Sequence, residues 1–483
     1  MIGDLGAWDA TALAGLVAKG DVSATELLDA ALQAVEARNP AINAVVLLQE
    51  GVARRAIAEG LPRGPFRGVP FLIKDLGCEA RDFPSHNGSR LFANTRYGRD
   101  SAIFERIRAT GVVTFGRTTS PEGGIGAATE AVVYGGPTRN PWSLGHTPGG
   151  SSGGSGAAVA AGIVAMAHGS DGGGSVRIPA SSCGLFGFKP TRARLPDGPY
   201  AGEGWAGMAI DGFLTRSVRD TAVMLDACAG ADLGAPYHAP ALRHGHAQAI
   251  ARPGRRLRVA ICDTTLTGEP IDGHVAEVVR HAGRLIERLG HHVEPGYPGG
   301  ADVPMMMRAW TDIVAVGTAL SIRGGLKGRD LTEDDVEGVG RGAVAHAATL
   351  SPLRYLEAVG EIHAFGRQMA GFFDAAQKGG GPDILLSATL AEPPARVGRF
   401  NHATTDYVAY RTGPEGIFAY SPFCAIFNAS GQPAASLPLG MVDGLPVGVH
   451  LAAAFGADEE LIALCAEIEA AEPWAGRRAA LAA

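Results

Sequence analysis

Two serines lie in glycine-dense runs in the first half of the chain. Thr147-Pro148-Gly149-Gly150-Ser151-Ser152-Gly153-Gly154-Ser155-Gly156 holds one, and Gly169-Ser170-Asp171-Gly172-Gly173-Gly174-Ser175-Val176-Arg177 holds the other. The stretch from Ala157 to His168 separates them and opens with a small-residue helix. Glycines at this density let backbone amides converge on one point, because no Cβ blocks the approach or forbids a positive φ. A hydroxyl set among converging N–H groups suits acyl transfer: the hydroxyl attacks and the amides hold the developing oxyanion. A third group joins them. Lys74 ends the apolar run Val69-Pro70-Phe71-Leu72-Ile73 and precedes Asp75. Burial at the end of a strand disfavours the ammonium form and turns the amine into a base. A serine–lysine pair is a variant of serine–histidine catalysis. Alone, such a lysine reads as surface charge; beside the two serine loops it reads as a candidate base.

Other readings of the first loop carry less. A flexible Gly/Ser linker would lead into a domain boundary, whereas Gly156 leads into Ala157–Ala167, which asks for burial. A phosphate loop would need Gly-Lys-Ser/Thr at fixed spacing, or a GxGxxG opening a helix after a strand, and neither is present. Gly149-Gly150-Ser151-Ser152-Gly153 does fit the G-x-S-x-G nucleophile elbow, which would make Ser151 the nucleophile of an esterase with Asp443 and His450 as partners. His450 lies inside Val447–Leu451, a strand pattern rather than the loop such a histidine occupies.

Positioning these groups requires a sheet. Ser23-Ala24-Thr25-Glu26 is a capping box, and Leu27, Leu28, Ala31, Leu32 and Val35 follow at helical spacing up to Asn39-Pro40, where the helix should stop. Val69–Ile73 reads as a buried strand, Asp100 as the cap of a helix to Ala109, and 112–115 as a strand. Strands are expected at 163–167, 257–262, 384–387, 435–438 and 447–451, with helices at 218–229 and 274–289 among them. This alternation predicts an α/β fold with a parallel or mixed sheet. Residues 300–380 lack strand patterns and read as a helical insertion, with Met305-Met306-Met307 as core filler.

Composition narrows the class. The chain has 483 residues, 46% apolar and 19% charged, with a net charge of −7. That is a globular composition with no electrostatic case for nucleic acid or an anionic membrane. The basic cluster Arg252, Arg255, Arg256 and Arg258 reads as a solvated edge. The six cysteines form no CxxC, and free thiols in a reducing compartment are the simplest reading. Met1–Trp8 lacks the basic start of a signal peptide, and no apolar run is long enough to span a bilayer, so a cytoplasmic protein is expected. Neither metal nor cofactor is called for: there is no HExxH, and His291-His292 is not a recognisable ligand set.

Taken together, Gly68-Val69-Pro70-Phe71-Leu72-Ile73-Lys74-Asp75, the two serine loops continued by Ile178-Pro179-Ala180, and Phe186-Gly187-Phe188-Lys189-Pro190-Thr191 resemble the amidase signature family. So do Thr138–Trp142, Gly431–Ala434 and Gly444–Val449. The resemblance spans 1–483 as a single domain, is densest over 68–215, and implies one α/β unit with a mixed central sheet and helices on both faces. It also implies an amidohydrolase with a Ser–Ser–Lys triad. Ser175 would be the nucleophile, Ser151 the bridging serine after a cis peptide bond, and Lys74 the base. Backbone amides of Gly172, Gly173, Gly174 and Ser175 would form the oxyanion hole. Asp171 and Arg177 would pair to brace the loop, and Ser152 and Ser170 would hydrogen-bond the relay. Cys183 reads as a packed thiol, and the relay needs neither His146 nor His168. The implied partner is a small-molecule amide; the oligomeric state, homodimer included, stays open. Gly172 stands where many members carry a side chain, which should loosen the loop. Ile178 stands where the glutaminase subunit of the tRNA-dependent amidotransferase usually has glutamine, leaving that subunit as an alternative. Bacterial amidases acting on small synthetic amides look most similar.

Overall fold

The apolar run ahead of Lys74 becomes a strand buried on both faces, and strands of the same character build out from it on each side. The computed structural model describes residues 4–252, 254–374, 380–479 and 481. Met1–Gly3 of the N-terminal segment, Pro253 of the arginine-rich edge and residues 375–379 of the 300–380 stretch lie outside them. The strands are β1 (Val45–Val46), β2 (Pro70–Lys74), β3 (Val113–Thr118), β4 (Met166–Asp171), β5 (Phe186–Lys189), β6 (Ile210–Thr215), β7 (Arg258–Ile261), β8 (His292–Pro295), β9 (Ile384–Ala388), β10 (Ala434–Val442) and β11 (Leu445–Ala453). They form one sheet in the order β1-β3-β2-β4-β6-β5-β10-β11-β9-β7-β8. β2 runs parallel to β3 and β4, and β7 runs parallel to β8 and β9. The central strands from β4 to β9 pair antiparallel. The mixed sheet is flanked by helices, as the alternation predicts.

Helix periodicity explains the packing. Gly273–Arg288 buries Val275, Ala276, Val279, Ala282, Gly283, Leu285 and Ile286, the i, i+3, i+4 set, and turns its charged residues outward. Gly283 lies so close to β7 that a Cβ there would meet Ile261 Cδ1 at 2.7 Å. Residues 300–380 contain the helices Val303–Leu326, Gly338–Thr349 and Pro352–Phe372. The first of these packs against the other two.

Several boundaries differ from the sequence reading. The helix Ala24–Ile42 continues through Pro40. Proline costs one amide there, in the last turn, and the end is closed instead by Asn39, whose side chain accepts from the N–H groups of Ala44 and Val45 at 2.8 Å each. Asp100 does not cap the helix Ala102–Ala109; Ser101 holds that position, and Asp100 accepts from the Arg81 amide and the Arg108 guanidinium. The strand expected at 163–167 begins at Met166 and runs to Asp171. The intervening small-residue helix is Gly153–Ala160 and is buried along its length, so half of the first glycine run is helix rather than loop.

Candidate active site

Lys74, Ser151 and Ser170 meet at the ends of β2 and β4. β2 places Lys74 at its carboxyl end, wholly buried. Its Nζ lies 2.6 Å from Ser151 Oγ and 2.9 Å from Ser170 Oγ. Burial pushes the Lys74 amine down to about 7, against the opposing pull of the Asp171 and Asp211 charges. Ser151 follows a cis peptide bond, Gly150–Ser151. Next to it, Ser152 Oγ and the Ser170 backbone bond each other at 3.2 Å, which ties the first loop to β4.

Beneath Lys74 sits Arg117, a fully buried arginine of β3. It donates to the carbonyls of Lys74 (2.7 Å), Pro84 (2.8 Å) and Phe83 (2.9 Å). The guanidinium fixes the strand end from which the lysine projects. His168 accepts the Lys74 amide at Nδ1 and faces Asp211 with Nε2. Both residues act on the Lys74 backbone; pattern reading gives no role to Arg117 and only sets His168 outside the relay.

Ser175 opens the turn before the helix Arg177–Cys183 and is half-buried. Its carbonyl accepts from the Ser152 amide at 3.2 Å, which joins the two loops. Among the described residues its hydroxyl makes no hydrogen bond, so the Ser151–Ser175 contact is not formed in this state.

Asp171 organises the second loop. Its carboxylate accepts from the amides of Gly174 (2.7 Å) and Val176 (3.2 Å), from Arg177 Nε (3.0 Å) and Nη2 (2.9 Å), and from Asn428 Nδ2 (3.0 Å). Burial alone would raise its pKa; the Arg177 charge and these donors hold it well below the usual carboxylate range. This corrects the oxyanion set. The Gly174 N–H is committed to Asp171 and is not free for a substrate oxygen. Gly174 instead supplies the turn, with φ +116°, where a Cβ would also strike Cys424. The amides of Gly172, Gly173 and Ser175 have no partner among the described residues.

Gly172 stands where there is no room for a side chain. A Cβ there would meet Trp205 Cζ3 at 2.5 Å, and one at Gly173 would meet Trp310 Cζ2 at 2.9 Å. Trp310 also donates its indole N–H to the Gly172 carbonyl at 3.2 Å. Two indoles occupy the volume that side chains would fill. Ile178 packs between the loops, close to Gly149 and Gly174. Cys183 is buried against the Pro148 carbonyl, its thiol pushed up by burial.

The esterase reading does not fit. His450 is wholly buried, with Nε2 2.9 Å from Arg177 Nη1. Arginine only donates, so Nε2 accepts and is unavailable to a serine. Asp443 sits in the tight turn between β10 and β11, away from His450 along the strand. Lysine, not histidine, holds Ser151.

Sequence reasoning missed Asn428, which donates to the Asp171 and Met208 carbonyls and accepts from Arg177 at 2.7 Å. A lone asparagine inside the apolar run Ala425-Ile426-Phe427-Asn428-Ala429 was its only signal. Trp205 and Arg117 left no signal, whereas Trp310 stood out in the helical insertion of 300–380.

A model of the amidase family matches residues 26–462. The 6-aminohexanoate-cyclic-dimer hydrolase of Paenarthrobacter ureafaciens is 38% identical over 480 residues, covering 97% of this chain and 96% of that protein. Among solved structures, 6-aminohexanoate cyclic dimer hydrolase complexed with substrate superposes with a TM-score of 0.92 at 36% identity, covering 99% of this chain and 100% of the other. A bacterial aryl acylamidase of the amidase signature family matches with a TM-score of 0.85 at 30% identity, covering 97% and 99%.

Proposed function

This chain belongs to the amidase signature family and is an amidase, and from that premise we propose that it hydrolyses small carboxylic amides through an acyl-enzyme on Ser175. The observation that carries the proposal is the buried Lys74 Nζ, 2.6 Å from Ser151 Oγ, with its pKa lowered to about 7. A neutral amine there accepts the Ser151 proton while Ser151 accepts that of Ser175. Ser175 then attacks the amide carbon. The free amides of Gly172, Gly173 and Ser175 face the charge that develops on the carbonyl oxygen, each worth about 2.7–4 kcal/mol of barrier where such donors have been removed. The relay returns a proton to the leaving nitrogen, without which an amine anion would have to depart. Water, activated by the same relay, releases the acid. Asp171, Arg177 and Asn428 hold the loop, and Ser152 and Ser170 hold Ser151 and Lys74 in register.

Small substrates follow from the relatives, one a hydrolase of a cyclic amide dimer and another an aryl acylamidase. We take residues 68–215 as the core of the site and the helices of 300–380 as the wall that brings Trp310 to it. Six buried free thiols favour a reducing compartment and thus the cytoplasm. No helix of the described residues is long and apolar enough to cross a membrane.

The test is direct. The purified chain alone should release ammonia or amine from simple linear amides, and Ser175→Ala should lower kcat by at least about a thousandfold, the scale for loss of a covalent nucleophile. Undiminished turnover in Ser175→Ala, or none in the wild type, overturns the reading.

A further inference from the structure

A buried arginine beside the candidate site lacks the counter-charge it would ordinarily have. Arg411, in the short helix Tyr407–Thr412, is 2% exposed. Its guanidinium carbon lies 5.1 Å over the Trp310 ring, 5.2 Å over Tyr407 and 5.6 Å over Tyr410, with the Tyr407 hydroxyl as a polar neighbour. Among the described residues Nε and Nη2 donate to nothing. No carboxylate pairs with it among the described residues. The other fully buried arginines differ: Arg117 spends its donors on carbonyls, and Arg177 spends its own on Asp171 and Asn428. Asp312, whose charge reaches Tyr407, is already shared by His346 at 2.8 Å and Arg354 at 2.9 Å, and Glu337 lies on the far side of His402, 3.8 Å from its Nδ1. Among the described residues two more buried polar atoms near Arg411 are also unpartnered, Tyr410 Oη and His402 Nε2. Burial first, and then the Arg411 charge, lowers the His402 pKa to about 4, so its ring is neutral.

Unpartnered buried donors are costly, and native structures keep few of them without a reason. Their location supplies one. Trp310, the ring under Arg411, lies on Gly173 and bonds the Gly172 carbonyl, the loop that offers free amides beside Ser175. On the other side, the His402 ring packs on Tyr410 at 5.8 Å and stands 3.0 Å from where a Cβ on Gly126 would lie. A Cβ on Gly150 would meet the Gly126 carbonyl at 2.8 Å, and one on Gly124 of the same loop would lie 3.4 Å from Ser151 Oγ. Through Trp310 and His402 the Arg411 cluster thus borders the loops that carry the two serines.

We propose that Arg411, assisted by the Tyr410 hydroxyl, recognises a carboxylate carried by the amide substrate. The guanidinium fork matches a carboxylate in a way that no neutral group does, and stacking on three rings preorganises it. The proposal rests on the amidase reading of Ser175 and names the substrate class within it.

Two matched pairs test it. Glutaramate is compared with the neutral amide in which an isopropyl group replaces its carboxylate, and N-acetyl-β-alanine with N-isopentylacetamide. The first pair places the charge on the acyl side, the second on the amine side. The wild type should prefer the charged member of one pair by about 10- to 100-fold in kcat/KM, the worth of one charge-assisted bond. Arg411→Gln should bring that ratio close to one, with Arg411→Lys between them. Equal rates within both pairs in the wild type, or a preference that survives in Arg411→Gln, overturns the proposal. Should Arg411→Gln fail to fold, Tyr410→Phe keeps the ring, removes one donor, and should lower the ratio several-fold; an unchanged ratio counts against the proposal. Failure to hydrolyse any of the four would refute the amidase reading instead. In that case calorimetric binding of glutarate, present in the wild type and lost in Arg411→Gln, still decides the recognition claim.

Discussion

Lys74 can be a base only because water cannot reach it. Its amine is wholly buried, its two hydrogen-bond neighbours are neutral hydroxyls, and burial lowers its pKa to about 7. The sign of the pH dependence follows. Above about pH 7 the amine is neutral and accepts the Ser151 proton; below it the ammonium form blocks the relay. The rate kcat/KM should fall about tenfold per pH unit on the acid side of 7 and level off above it. A profile flat from about pH 5 to about pH 9 would remove Lys74 as the base. Ser170 shares the lysine, so Ser170→Ala, which leaves one Nζ–H unpaired, should shift that acid limb while a Ser170→Thr variant restores it. A limb that stays in place would make Ser170 a packing residue only.

At the scale of elements, the site depends on how β4 continues into the second serine loop. Ser170 and Asp171 are the last residues of β4, and the carboxylate of Asp171 then turns back to accept two amides of the following loop. Pattern reading placed this strand three residues too early because it followed the apolar run and assigned the polar end to a loop. The polar residues stay in the strand because Ser152 and Ser155 satisfy its backbone. The capping box at Ser23 and the amphipathic stripe of 273–288 were legible for the opposite reason: each is decided by residues within one turn of one another. Asn428 was not legible, because it reaches Asp171 from a helix far along the chain. Asn428→Ala would leave Asp171, Arg177 and the Met208 carbonyl each short of a partner. It should cost about 3 kcal/mol in denaturant unfolding. A loss under about 0.5 kcal/mol, the range of an ordinary surface change, would show that the network is not what holds the loop.

Across the whole molecule, the sheet order explains why the densest motifs do not make the site alone. β5, inside residues 68–215, pairs with β10, and this antiparallel joint brings in β11 with His450. Helices from 303–326 and 407–412 add Trp310 and Arg411. The α/β class was legible from strand–helix alternation; the partners across the joint were not, since no local period marks which distant strands become neighbours. The same packing buries all six thiols. A thiol reagent should therefore modify none of them within minutes in the native protein and all six in guanidinium, and fast modification of any in the native state would contradict the packing. The measurement that bears most directly on the central claim is peptide mapping after treatment with a fluorophosphonate, which reports which hydroxyl the relay activates. The account predicts a single adduct on Ser175, formed rapidly in the wild type and slowed at least about a thousandfold in Lys74→Ala. An adduct on Ser151, or one on Ser175 that forms equally fast without Lys74, would contradict it.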